Sequence, residues 1–172
     1  ATYALMAPLD DSVYARETQF KGWTINDVMQ HLYMGDMRAH MTLTDPEAYA
    51  RIKAKRQAVV AATTAEKLAN QRADAGYLEG KALLDAWRAS SAKTAAAYAE
   101  ADPKQRVQWA GPDMSARSSI TARLMETWAH SQALYDALGV ERADGDRIRA
   151  IAHLGAITYG WTFANRGEEP PG

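Results

Sequence analysis

The sequence contains no cysteine among its 172 residues. A chain without thiols cannot form disulfides, thiolate metal sites or a cysteine nucleophile, so any thiol chemistry would require a bound small molecule. The formal net charge is only -1, which gives no charge excess for nucleic acid or an anionic membrane. No apolar run approaches the roughly 20 residues that span a bilayer. These absences predict a soluble protein, most simply a cytoplasmic one, with neither nucleic-acid nor membrane partners.

The composition is that of one globular domain. Hydrophobic residues make up 47% of the chain and charged residues 24%, and 172 residues are enough to bury one core. Alanine is abundant, and no segment shows the alternation of apolar and polar residues that indicates a strand. The sequence therefore predicts an all-α protein.

Capping and stop signals divide the chain into helices. Thr24 with Asp27 is a variant capping box, Asp45 before Pro46 opens a second helix, and Gly139 is a good helix C-cap. The main predicted helices cover residues 24–44, 46–70, 77–100, 116–138 and 146–165, after a short helix that ends near Pro8. Residues 1–166 are predicted to form an antiparallel four-helix bundle with an extra short helix. Residues 167–172, GEEPPG, are interpreted as the start of a linker.

Within the stretch ARLMETWAHSQAL, Glu126 and His130 lie four residues apart and therefore on one face of a helix. Helical geometry places this pair at the rim of an apolar stripe formed by Ile120, Leu124, Trp128, Tyr135 and Leu138. One interpretation is a solvated pair that contributes about 0.2–0.5 kcal/mol to stability. The other is two ligands of a metal site, since zinc accepts imidazole and carboxylate ligands. Spacing alone favours the solvated pair.

His31 is the candidate for a third ligand. It lies beside the apolar stripe of the first long helix, and Gly35, one turn further on, is predicted to leave room for the imidazole. The alternative is a histidine at the core edge that is bonded to a carbonyl. We interpret His40 as structural or exposed and His153 as a core residue. Most tryptophans, including Trp161, are predicted to anchor the core.

Three stretches together resemble one family. FKGWTINDVMQHL, GPDMSARSSITARLMETWAHSQALYDALG and IAHLGAITYGWTFANRGEEPPG occur in the order, and with the spacing, of DinB/YfiT-like bundles of the mycothiol-dependent maleylpyruvate isomerase N-terminal type. The last stretch resembles a subfamily described as uncharacterised metal-binding proteins. The resemblance extends over almost the whole chain.

The resemblance implies a four-helix bundle that holds one divalent metal, usually zinc. The positions that match the family's ligands are His31, Glu126 and His130. Two departures from the family pattern are visible. An aspartate that often follows the last ligand is replaced by Ala133, and the small C-terminal domain that usually follows the linker lies outside this sequence.

Three functions remain open. The first is a thiol-dependent isomerase or S-transferase, in which the metal stabilises the thiolate of mycothiol or another low-molecular-weight thiol that attacks a small-molecule substrate. The second is a metal-dependent hydrolase that uses metal-bound water. The third is a non-catalytic metal-binding bundle, for which a homodimer is plausible by analogy.

Overall fold

The computed structural model describes residues 1–58 and 63–171. Within these ranges the elements are α1 (Thr2–Met6), a 3₁₀ helix (Asp11–Ala15), α2 (Ile25–Thr44), α3 (Pro46–Ala58), α4 (Thr64–Asp74), α5 (Gly80–Glu100), β1 (Arg106–Val107), β2 (Met114–Ser115), α6 (Ala116–Leu138), α7 (Ile148–Ile157) and α8 (Tyr159–Ala164). The prediction of an all-α, DinB-like bundle is confirmed. Within the described residues, the only strands are β1 and β2, an antiparallel pair in the loop before α6. None of the helices in these ranges is long and apolar enough to cross a membrane.

Helix α2 is the central element of the bundle and packs against both α5 and α6. It begins where the sequence predicts. The Thr24 hydroxyl accepts the backbone N–H of Asp27, while the Asp27 carboxylate accepts the backbone N–H of Thr24. Its predicted stripe is buried throughout and comprises Ile25, Val28, Met29, Leu32, Asp36 and Ala39. This stripe therefore provides the surface on which the other helices assemble.

The prediction of one helix over residues 46–70 is wrong. Residues 59–62 of that prediction lie outside the described residues, but Thr63 has extended backbone dihedrals and starts α4 through a capping box with Glu66. The sequence TTAE, residues 63–66, is a capping box that starts a helix. It was overlooked because the residues on both sides of it also favour a helix. Helix α4 is held against α2, because Arg72 of α4 donates two hydrogen bonds to Asp27 of α2, at 2.8 and 3.0 Å.

Asp27 therefore has two functions, as the cap of α2 and as the partner of Arg72. Burial alone would raise the pKa of Asp27, but hydrogen bonds from Arg72 and Thr24 outweigh it and hold this pKa below its usual value. The carboxylate thus remains charged well into the acidic range. Its contribution to stability is lost only when the pH falls through this lowered pKa.

The C-terminal segment also differs from the prediction. The helix predicted over residues 146–165 is two helices, α7 and α8, which are separated at Thr158. His153, predicted to be in the core, is exposed, and Trp161 is 51% exposed rather than a core anchor. This segment does carry many apolar side chains, but few of the described residues pack over them, so they remain partly or largely exposed.

Among the residues that the structure describes, the apolar core consists of two clusters that lie along α2. The larger surrounds the first half of α2 and includes Ile25, Met29, Leu32 and residues of α5 such as Leu83. The smaller surrounds Ala39 and includes Tyr98 and Val107. Between Leu32 and Ala39 on α2 lies Asp36, whose carboxylate accepts a 2.9 Å hydrogen bond from Nε of Arg123 on α6. A buried ion pair therefore joins α2 to α6 at the level between the two clusters.

This pair explains the glycine at position 35. A Cβ atom at Gly35 would collide with the Arg123 guanidinium. The prediction that Gly35 makes room for the His31 imidazole is therefore wrong, because Arg123 fills that space. The side chains of Arg123 and Asp36 are only 6% and 4% exposed, so neither charge has water as an alternative partner.

We expect Gly35→Ala to destabilise the protein, although Gly→Ala inside a helix usually stabilises by about 1 kcal/mol. The added methyl group would displace Arg123 from a packed position, which typically costs about 1–3 kcal/mol. Urea denaturation measures the change in the free energy of unfolding. Gly155→Ala in α7 is the matched control, because nothing lies within 4 Å of its Cβ position. It should be neutral or stabilising, and equal effects of both variants would contradict the packing argument.

We expect Arg123→Leu to lower the free energy of unfolding by about 3–5 kcal/mol at neutral pH, because it leaves the buried Asp36 carboxylate unpaired. Burial already raises the pKa of Asp36, against the opposing effect of Arg123. A raised pKa means that protonation relieves the penalty, so the deficit of the variant should shrink as the pH falls. Arg117→Leu, an exposed arginine on the same helix, should change stability by about 0.5 kcal/mol or less. A pH-independent deficit would show that Asp36 is not its cause.

Candidate metal centre

The inner face of α6 carries polar residues beside apolar ones such as Leu134 and Tyr135. Its buried residues include Ser119, Arg123 and Ser131, and Glu126 and His130 follow the same helical spacing toward α2. Of the predicted apolar stripe, Tyr135 is buried, whereas Leu124 and Trp128 are only partly buried. Glu126 and His130 are likewise partly buried, which agrees with a position at the rim of the buried face, and both lie against His31 of α2.

His31, Glu126 and His130 converge. Nε2 of His31 lies 3.4 Å from Oε2 of Glu126, and Nε2 of His130 lies 3.3 Å from the same oxygen. One ligand atom from each of the three residues lies within 4.8 Å of the others. A tetrahedral zinc site with bonds of about 2.0–2.1 Å separates its ligand atoms by about 3.4 Å. The two Nε2–Oε2 distances thus correspond to the edges of such a site.

The electrostatics of the three groups suit a cation. Hydrogen bonds from His130 and His31 outweigh burial and hold the pKa of Glu126 far below its usual range, so this carboxylate is ionised. Burial lowers the pKa of His31, and the nearby His130 and Arg123 act in the same direction against Glu126. A lowered pKa keeps the imidazole neutral with a free lone pair, which is the form that binds metals. The side chains remain 19–29% exposed, so an ion has access from solvent.

An aromatic wall, formed by Phe20 and Trp23, borders the three converging side chains. The Phe20 ring meets the His130 ring edge to face at 5.1 Å, and the Trp23 ring lies 5.6 Å from that of His31. Both aromatic residues flank a tight turn in which Lys21 and Gly22 have positive φ, and the N–H of Trp23 donates to the carbonyl of Phe20. The wall fixes the imidazole planes and shields one side of the site from water.

This wall was not predicted from the sequence. The signal was the FKGW sequence itself. Two consecutive residues with positive φ form the type I′ turn that closes a hairpin, and glycine favours it. A hairpin brings its two flanking side chains close together, so an aromatic residue on each side of KG predicts a paired surface. Its position over His31 follows only from the fold.

A sequence model described as "Mycothiol maleylpyruvate isomerase N-terminal domain" matches residues 1–135. This range includes all three converging side chains. The chain belongs to this family. Two uncharacterized proteins of Mycobacterium tuberculosis, one from each of two strains, are 34% identical over 168 residues. These residues are 98% of this chain but 64% of each relative, so the chain spans about two thirds of the length of the curated relatives.

Solved structures support the same fold. Crystal structures of a mycothiol-dependent maleylpyruvate isomerase and of a single-residue mutant give TM-scores of 0.65 and 0.67. Each match covers 97% of this chain and 67% of the solved chain, at 19% and 17% identity. At this level of identity the comparison concerns the fold. The bundle seen here is therefore the bundle architecture of those enzymes.

If the three residues ligate a metal, the protein should bind about one equivalent of Zn²⁺, and His130→Ala should weaken this binding strongly because two ligands cannot complete the site. The measurement is metal content by mass spectrometry after purification without chelator or affinity metal, followed by titration of the stripped protein. His153→Ala is the control, since His153 is exposed on another helix. Absence of zinc uptake, or equal loss in both variants, would contradict the site.

Proposed function

We propose that this chain is the metal-binding bundle of a thiol-dependent isomerase or S-transferase, and that His31, Glu126 and His130 hold the divalent metal. The convergence of two imidazole nitrogens on one carboxylate oxygen, at 3.3 and 3.4 Å, carries the proposal. Three ligands leave one position of a tetrahedral ion open, as catalytic zinc sites require. Zinc suits this mixed nitrogen and oxygen set, which other divalent transition metals also accept.

When bound, the metal stabilises the thiolate form of a coordinated thiol, a nucleophile suited to electron-poor double bonds and other electrophiles. None of these 172 residues is a cysteine, so the bundle itself does not supply this thiol. The relatives with known names are mycothiol-dependent isomerases, which supports mycothiol as the thiol and a small electrophile as the substrate. The curated relatives extend well beyond this chain, and the activity proposed is that of the whole protein.

The residues of this chain have distinct tasks in the proposal. Glu126 supplies the negative charge that partly neutralises a divalent ion, while the two imidazoles add none. Phe20 and Trp23 hold the imidazole rings and exclude water from one side, which strengthens electrostatic interactions inside the site. Arg123 lies on α6 one turn before Glu126, but it is bound to Asp36 and remains outside the ligand set.

The hydrolase alternative is less well supported. It needs a free general base close to a metal-bound water. Glu126 is part of the ligand cluster, and Asp36, on the same helix as His31, is held by Arg123. Neither carboxylate is available to accept a proton from water.

Cobalt-loaded protein tests the proposed thiol coordination. We expect mycothiol to produce a sulfur-to-cobalt charge-transfer absorption, because a coordinated thiol is deprotonated. S-methylated mycothiol is the matched control and should produce none. Glu126→Gln, which removes the anionic ligand, should abolish or greatly weaken the signal.

Two results would count against the proposal. A protein that binds cobalt but gives no absorption with mycothiol would favour a non-catalytic metal-binding bundle. Hydrolysis of an ester or amide without added thiol, lost in His130→Ala, would favour the hydrolase. Both assays use the same metal-loaded protein and are therefore directly comparable.

A further inference from the structure

Arg38 of α2 is a partly buried arginine without an anionic partner. Its Nε atom is shielded from water and has no hydrogen bond within residues 1–58 and 63–171. None of the ion pairs among these residues includes Arg38. By contrast, Arg72 and Arg123 each hold an aspartate. Arg38 therefore differs from the other arginines that contact α2.

The guanidinium of Arg38 is charged. Burial lowers the pKa of Arg38 to about 10, and nearby Arg56 acts in the same direction, but the group remains protonated at neutral pH. Asp74 opposes this effect, although its own carboxylate lies 3.3 Å from Nζ of Lys55. A cation that is partly removed from water and has no counter-ion gains from binding an anion.

Helix α3 brings two further donors to Arg38. Helices α2 and α3 pack against each other and are separated only by Asp45. Tyr49 is 5% exposed and therefore marks the inner face of α3. Arg56, seven residues later, falls on the same face about two turns further on. Burial raises the pKa of Tyr49, against the effect of Arg56 and Arg38, so its hydroxyl keeps a proton to donate.

The space among these three side chains is open to solvent. Arg56 is exposed and Arg38 is partly exposed. Of the three guanidinium nitrogens of Arg38, only Nε is both buried and without a hydrogen bond. The two terminal nitrogens are therefore the atoms that an incoming ligand reaches.

Charge and donor number define the ligand. The carboxylate that acts on Arg38, that of Asp74, is neutralised by Lys55, so two guanidinium charges lack a carboxylate partner among the described residues. A guanidinium binds an oxyanion through two parallel N–H donors. A second guanidinium and a hydroxyl suit an anion with three acceptor oxygens and a charge near -2, which is a phosphoryl group.

We propose that Arg38, Arg56 and the hydroxyl of Tyr49 bind a phosphoryl dianion between α2 and α3. The site is separate from the candidate metal centre, because Arg38 lies seven residues, or about 10 Å, beyond His31 along α2. Two sources share this chemistry, namely inorganic phosphate and the phosphoryl group of a small phosphomonoester. The proposal does not depend on thiol coordination.

Calorimetric titration of inorganic phosphate into the whole 172-residue chain tests the site. The buffer contains a chelator, because phosphate also binds metal ions. We expect saturable binding that Arg38→Gln weakens by about tenfold or more, since charged hydrogen bonds are lost. Arg56→Gln should also weaken it. Arg51→Gln is the matched control, because Arg51 is exposed on the face of α3 opposite Tyr49 and its loss changes the net charge equally.

A second variant separates recognition from folding. Arg38→Lys keeps the charge but cannot hold two oxygens at once, so its affinity should lie between those of the wild type and Arg38→Gln. Neither variant removes an ion pair, and the far-ultraviolet circular dichroism of both should match that of the wild type.

Phenyl phosphate identifies the source of the phosphoryl group. Equal affinity for phenyl phosphate and inorganic phosphate supports the free ion, whereas tighter binding of phenyl phosphate supports a phosphomonoester. The proposal is overturned if phosphate binding does not saturate, if Arg38→Gln and Arg51→Gln weaken it equally, or if acetate binds as tightly as phosphate. Each of these results is independent of whether the metal-loaded protein coordinates a thiol.

Discussion

The buried ion pair between Asp36 and Arg123 fixes how α6 lies on α2. Both side chains are almost completely shielded from water, so a shift of one helix along the other would leave two unpaired charges in a low-dielectric interior. Glu126 follows Arg123 by about one turn on α6, and His31 precedes Asp36 by slightly more than one turn on α2. The pair therefore sets the register in which the carboxylate and the imidazole meet.

Above and below this pair, polar contacts lie beside the apolar packing between α2, α5 and α6, to which Leu134 of α6 contributes. At one level lie His31, Glu126 and His130. At another, the hydroxyl of Tyr98 is bonded to Ser119 and to the carbonyl of Ala39. The apolar residues form clusters beside these levels rather than a continuous seam. Such a bundle buries less apolar surface along its axis. In exchange, its buried hydrogen bonds and ion pair are directional and favour one register of α6 on α2.

Sequence reasoning was most successful where local rules decide the structure. The N-cap at Thr24, the C-cap at Gly139 and the apolar stripe of α2 are properties of single helices. It was only partly right for α6: Tyr135 of the predicted stripe is buried, but Leu124 and Trp128 are only partly so, and Ser119 and Arg123 are buried among the apolar residues. Polar groups can be buried there only because partners on other helices satisfy them, and those partners are not visible in a local pattern. The three candidate ligands were identified through the resemblance, since spacing alone favoured a solvated pair.

The closeness of Trp23 to the histidines has a practical consequence. Its indole ring lies 5.6 Å from the ring of His31 and parallel to that of His130, while Trp87 is buried in the core and Trp161 is half exposed. We therefore expect the emission of this indole to change when an ion occupies the space between the two imidazoles. Trp23 is thus an intrinsic probe beside the candidate centre, and comparison with Trp23→Phe separates its emission from that of the other four tryptophans.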